Sequence, residues 1–314
     1  MKNLIFILLL INMQCVAQNS NNMKDNINVT FSGGQEKNII NGIIPAILTI
    51  KNNTNKEIFV LLFYPNPNDI SFDCQQPFVE KKNRGWNLSE ENIPIKIQSG
   101  ETYKNVYFLG RYFKFLKDGK FDIIYDLELS AGTGNTQSES ISYKGNFPIQ
   151  ISSGSNEELK KQLSYYSENL KSDNRKIKEE SAEALSFVEN PLSVDYITPM
   201  LSIENLETKG IDALSKFNTP QNQKLISKML SHRESDVVSK AIEALHKMKV
   251  EIPRKEFISM LASENTDIVF LGLENLEKNP NKNDMGLVKP VLNSLNDTVA
   301  EKAKGYYDLL EKMK

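Results

Sequence analysis

The residue types that do chemistry at neutral pH are scarce in this chain, which holds two histidines, two cysteines and one tryptophan in 314 residues. His232 and His246 are fourteen positions apart with no cysteine between them, a spacing that matches no zinc site, so they read as ordinary surface or half-buried histidines. Cys74, in Phe72-Asp73-Cys74-Gln75-Gln76, could serve as a nucleophile only with a base, and its half of the chain contains no histidine. It reads as a small core residue. Gly132-Thr133-Gly134-Asn135 has the look of a phosphate loop, but it lies between two strand-like segments and no helix follows, which makes it a hairpin connection. The segment Tyr64-Pro65-Asn66-Pro67-Asn68-Asp69 leads toward Trp86. Asn66, Asn68, Asp69 and Trp86 together form a candidate ligand loop, with oxygen ligands and an aromatic suited to a sugar or peptide; the competing reading is a turn followed by a core strand residue. No nucleophile with its base, no metal set and no phosphate cradle assembles, so the expectation is a protein without enzymatic activity, metal or cofactor.

The bulk properties point the same way. With 38 basic and 40 acidic residues the net charge is −2, which gives no general attraction to nucleic acid. Leu4 to Ile11 is an unbroken apolar run behind Lys2, too short to span a bilayer, and Cys15-Val16-Ala17 supplies small residues at an export cleavage site. Residues 1–17 are therefore expected to be a signal peptide and 18–26 a flexible start of the mature chain. Lipidation at Cys15 is the rival, disfavoured because Gln14 is neither small nor apolar. Cleavage would leave Cys74 alone, so an exported, periplasmic or secreted chain would be held together by packed cores rather than by a disulfide.

From residue 27 to 152 the apolar residues alternate or form short runs bounded by Gly, Asn and Pro. Strands are expected at 27–31, 43–51, 57–63, 77–82, 93–97, 102–109, 120–129 and 138–151, the last with a break at Gly145. Asn52-Asn53-Thr54-Asn55 is a turn cluster. Many short strands without a helical period predict an antiparallel β-sandwich. Asp118-Gly119-Lys120-Phe121 resembles the late strands of immunoglobulin-like domains of exported bacterial proteins, with Phe121 where their corner tyrosine stands, so the hydroxyl-to-backbone bond is missing here.

After Ser153-Gly154-Ser155 the period changes to 3.6 and stays so to the end, which predicts an α-helical domain over 155–314 that opens on a Ser155 cap. Ala182-Glu183-Ala184-Leu185, Ile211-Asp212-Ala213-Leu214, Ile242-Glu243-Ala244-Leu245, Leu273-Glu274-Asn275-Leu276 and Ala303-Lys304-Gly305-Tyr306 recur at spacings of 29, 31, 31 and 30. Asp236, Asp267 and Asp297 stand six residues upstream of three of them, placed to cap helix starts. The preceding column, Ser181, Gly210, Ala241 and Gly272, is small so that helices can approach, and Lys302 interrupts it at the end of the array. Tyr165-Tyr166 and Tyr306-Tyr307 bracket this region and are expected to cover exposed core at its ends.

These residues resemble HEAT repeats in a short form, best at Asp236-Val237-Val238 leading to Ala241-Ile242-Glu243-Ala244-Leu245. The resemblance implies an α-solenoid of about five helix pairs whose second helices line the concave face. An acid follows the core position in four repeats, and in three of them a lysine stands four residues on: Asp212 with Lys216, Glu243 with Lys247 and Glu274 with Lys278. Such i to i+4 pairs support a solvated helix face. On the concave face they would also present a charged stripe to a partner. The expected function is a protein- or peptide-binding scaffold of the cell envelope or extracellular space, not membrane-spanning. The alternative is a carbohydrate-recognition accessory protein that binds glycan through Trp86.

Overall fold

The computed structural model describes residues 23–61, 70–82, 94–133 and 138–313. The expected signal peptide, the candidate loop residues Asn66, Asn68, Asp69 and Trp86, and the tip of the Gly132–Asn135 connection lie outside them. The chain divides into a β-rich unit, residues 1–40 and 44–153, and a helical unit, residues 154–314 together with Asn41–Ile43. Within the helical unit the Gln162 side chain bonds both backbone groups of Ile43, at 2.9 and 2.7 Å. Among the described residues no helix is long and apolar enough to cross a membrane.

The β unit follows a helical turn, Met23–Asn26, and contains β1 (Ile27–Gly33), β2 (Asn38–Ile39), β3 (Pro45–Asn52), β4 (Ile58–Leu61), β5 (Ile70–Asp73), β6 (Val79–Lys81), β7 (Ile95–Ile97), β8 (Thr102–Phe108), β9 (Phe113–Phe115), β10 (Gly119–Gly132) and β11 (Glu139–Ser152). Among the described residues three sheets form, in the orders β1-β3-β8, β2-β11-β10-β4-β7 with β5 also on β10, and β6-β9. Among these described strands every pairing is antiparallel except β2 on β11.

Alternation decides which side chains enter the core. Phe121, Ile123, Tyr125, Leu127 and Leu129 of β10 are all buried, and they join Phe31, Leu48 and Ile50 of the first sheet in one cluster. Phe31 lies at its aromatic centre, with ring centroids of Phe72, Tyr125 and Phe147 at 5.3, 4.7 and 5.8 Å. The break expected at Gly145 does not occur. β11 runs through it, because the Tyr125 ring on the facing strand lies across the glycine and would meet a β-carbon there at 2.7 Å. In the expected turn cluster Asn52, fully buried, donates to the carbonyls of Lys56 and Ile97 (2.8 and 2.9 Å) and accepts from the N–H and hydroxyl of Thr54 (2.9 and 2.7 Å). All its side-chain capacity is used, so burying the amide carries no unsatisfied group.

The helical unit consists of α1 (Asn156–Asn169), α2 (Arg175–Ser186), α3 (Val194–Ile197), α4 (Glu207–Ser215), α5 (Pro220–Lys228), α6 (Ser235–Lys247), α7 (Arg254–Met260), α8 (Thr266–Glu277), α9 (Met285–Val288) and α10 (Asp297–Lys312), with short 3₁₀ turns beside α3, α5 and α9. Helices α2, α4, α6, α8 and α10 pack each on the next. At their shared position Leu185, Leu214, Leu245, Leu276 and Tyr306 are all fully buried. The small column acts as expected: a β-carbon on Gly210 would stand 3.0 Å from Met200 Cβ, and one on Gly272 would stand 2.9 Å from the Phe257 carbonyl oxygen. Lys302 in the last helix reaches Glu277 and lies over the Phe270 ring, so it covers apolar surface instead of facing open solvent.

Two details differ from expectation. Ser155 and Glu158 form a capping box on α1, but Asp236, Asp267 and Asp297 are not the N-cap residues of the later helices, although Asp236 accepts the Val237 N–H at 2.9 Å. Asn174, Asn265 and Asn296 hold that position on α2, α8 and α10. Asp236 and Asp267 sit two residues past the N-cap and Asp297 one, where they complement the positive helix end, while the amides of Asn265 and Asn296 also reach back to the preceding repeat, to the Arg233 carbonyl and the Thr266 hydroxyl. The second difference is Tyr306. Its hydroxyl donates to Asp284 at 2.5 Å, and Arg254 bonds both Asp284 and the tyrosine oxygen, so the end of the array encloses an ionic cluster where earlier repeats have leucine.

Candidate functional site

The charged stripe was expected from spacing along single helices, and its contacts run both within helices and between them. Lys240 on α6 pairs with Glu243 of its own helix at 2.8 Å and with Asp212 of α4 at 3.5 Å. Burial alone would pull the Lys240 ammonium down, and its two carboxylate partners outweigh that and hold it above the usual lysine value. Lys216 bonds the Ser186 carbonyl at the end of α2 and lies 5.4 Å from the centre of the Phe187 ring. A helix C-terminus offers unsatisfied carbonyls and a favourable dipole, which outcompetes an exposed i to i+4 pair worth a few tenths of a kcal/mol. Lys247 is exposed and makes no ion pair among the described residues, so the expected Glu243 to Lys247 pair does not form. Glu274 and Lys278 keep the expected pair at 3.8 Å. Asp212, Lys216, Glu243, Lys247 and Lys278 are exposed and Glu274 is half-buried.

Beside this stripe lies a cleft of about 270 Å³ between the segment entering α4 and the segment entering α6. Glu204, Glu207, Glu234 and Asp236 contribute carboxylates to its wall, with His232 and Arg233 as the basic groups. Thr208 and Asp236 also line it, and one helical turn further on stand Asp212 and Lys240. Residues four apart share a helix face, so cleft and stripe continue one into the other.

Glu207 is the unusual group in the wall. The residue is 9% exposed and its side chain 12%, and its carboxylate lies 3.9 Å from His232 Nε2. His232 Nδ1 accepts the Glu234 N–H at 3.2 Å, which puts the proton of the neutral ring on Nε2, facing Glu207. Arg233 is turned to its neighbour Glu234 at 3.2 Å. Asn205, with φ of 67°, makes the sharp turn that brings Glu204 and Glu207 to the same opening.

Sequence reading passed over this cleft, although a signal was present. Four residues before the core position the later repeats carry Val238, Val269 and Val299, all buried, and the α4 repeat carries Glu207 in the same register. An acid in an apolar column is the departure that local composition does not reveal.

The remaining candidates fall as follows. Cys74 is buried and free, and burial pushes its thiol above the usual value, away from nucleophilic use. His246 is exposed on α6. No group of three or more histidines, cysteines, aspartates and glutamates that could hold a metal occurs among the described residues.

No protein-family model matches the sequence, and no curated protein matches it. A solved structure described as an engineered protein is similar over 49% of this chain, with 14% sequence identity and a TM-score of 0.29. The chain spans 48% of that protein's length.

Proposed function

We propose that this chain is an exported, non-enzymatic binding module in which an immunoglobulin-like sandwich precedes a HEAT-like array of five helix pairs, and that the array recognises a protein or peptide partner. The observation that carries this reading is the lateral packing of α2, α4, α6, α8 and α10 in one register, with Leu185, Leu214, Leu245, Leu276 and Tyr306 inward and, in the first four, an acid beside the core position that is exposed or half-buried. Repeats that stack in register present equivalent side chains side by side, and such a surface suits an extended partner better than a compact substrate. The five pairs are α1 with α2, α3 with α4, α5 with α6, α7 with α8 and α9 with α10. The shared core of the β unit, in which Phe31 of one sheet packs against Phe147 of another, supports the sandwich half of the reading. Export rests on the apolar run at Leu4 to Ile11 and the small residues up to Ala17.

The test is capture from the envelope fraction of the native cells with the full chain and with the double charge reversal E243K/E274K as baits. A partner retained by the parent chain and lost by the variant supports recognition through the stripe. Equal retention by both chains removes the stripe from the binding surface.

A further inference from the structure

We draw no further inference here: the strongest candidate, the exposed apolar tip that Phe78 and Leu116 form at the β6-β9 pair with Lys117 over the Phe78 ring, carries nothing, because the lysines and carboxylates flanking it balance and nothing in the structure shows what covers it.

Discussion

Two glycines in the helical unit offer the same substitution with opposite consequences. Gly272 lies within α8, where a β-carbon would come within 2.9 Å of the Phe257 carbonyl oxygen and 3.0 Å of Met260 Cβ, both on α7. Gly305 lies within α10, and a β-carbon there would find nothing within 4 Å. In a helix interior alanine is favoured over glycine by about 1 kcal/mol, and this contribution is common to both sites. At Gly305 it stands alone, so Gly305→Ala should stabilise the protein by about 0.5 to 1 kcal/mol. At Gly272 the methyl group must push α7 away from α8, and overpacking of this kind costs about 1 to 3 kcal/mol. One of the two contacts is backbone, which cannot turn aside as a flexible side chain can. Because the propensity gain cancels in the comparison, the two variants should differ by that overpacking cost, with Gly272→Ala the less stable. Urea unfolding followed by far-UV circular dichroism, which is dominated by the helical unit, measures the difference directly. If Gly272→Ala is as stable as Gly305→Ala, helices α7 and α8 do not approach as described, and the argument that the small column sets the spacing between helices fails.

Three further outcomes follow from the structure. Asp284→Asn removes the charge between Arg254 and Tyr306 from a site whose side chain is 3% exposed, and because the Arg254 side chain is partly solvated (28% exposed) the loss should be about 2 to 4 kcal/mol in the same unfolding experiment; a loss under about 0.5 kcal/mol would reduce the cluster to a surface contact. The phenols of Tyr143, Tyr166 and Tyr306 are pushed up to about 12, in each case foremost by burial; the folded state then holds protons that the unfolded chain has released above its ordinary value near 10, so stability should be intact below pH 10 and decline as pH rises through about 12. Tyrosinate absorbance of the folded protein checks this, and titration of all eleven tyrosines near pH 10 would contradict it. Mass measurement of the exported chain should find a terminus at Gln18 without lipid, whereas a diacylglycerol adduct at Cys15 would place the protein on a membrane.

Periodicity made the two halves legible. Alternation through Phe121, Ile123, Tyr125, Leu127 and Leu129 marks a half-buried strand, and the recurrence of Leu185, Leu214, Leu245 and Leu276 marks helices that bury one face. The strands that escaped notice, β2, β5 and β9, are two to four residues long, too short for a period to register. The capping roles of Asn265 and Asn296 were hidden because an aspartate within two residues offers the same chemistry, and only backbone geometry separates N-cap from first turn. Lys240 could not be found from i to i+4 counting, since one of its two partners lies on the neighbouring helix. The same holds for Arg254, Asp284 and Tyr306, whose meeting depends on three separate elements. Lys178 and Glu207 both depart from the register that holds Val238, Val269 and Val299, and this becomes visible only once the repeats are laid side by side and the valines are known to be buried.

The measurement that bears most directly on the account is site-specific photocross-linking in the native cell envelope. A photoreactive amino acid replaces Glu243 on α6 in one chain and Glu139 at the exposed start of β11 in another. The account predicts one discrete cross-linked protein or peptide from position 243, its yield reduced when Glu274→Lys is added, and no such product from position 139. Cross-linking from position 139 with none from position 243 would move recognition to the β unit and contradict the central claim that the helical array is the binding surface.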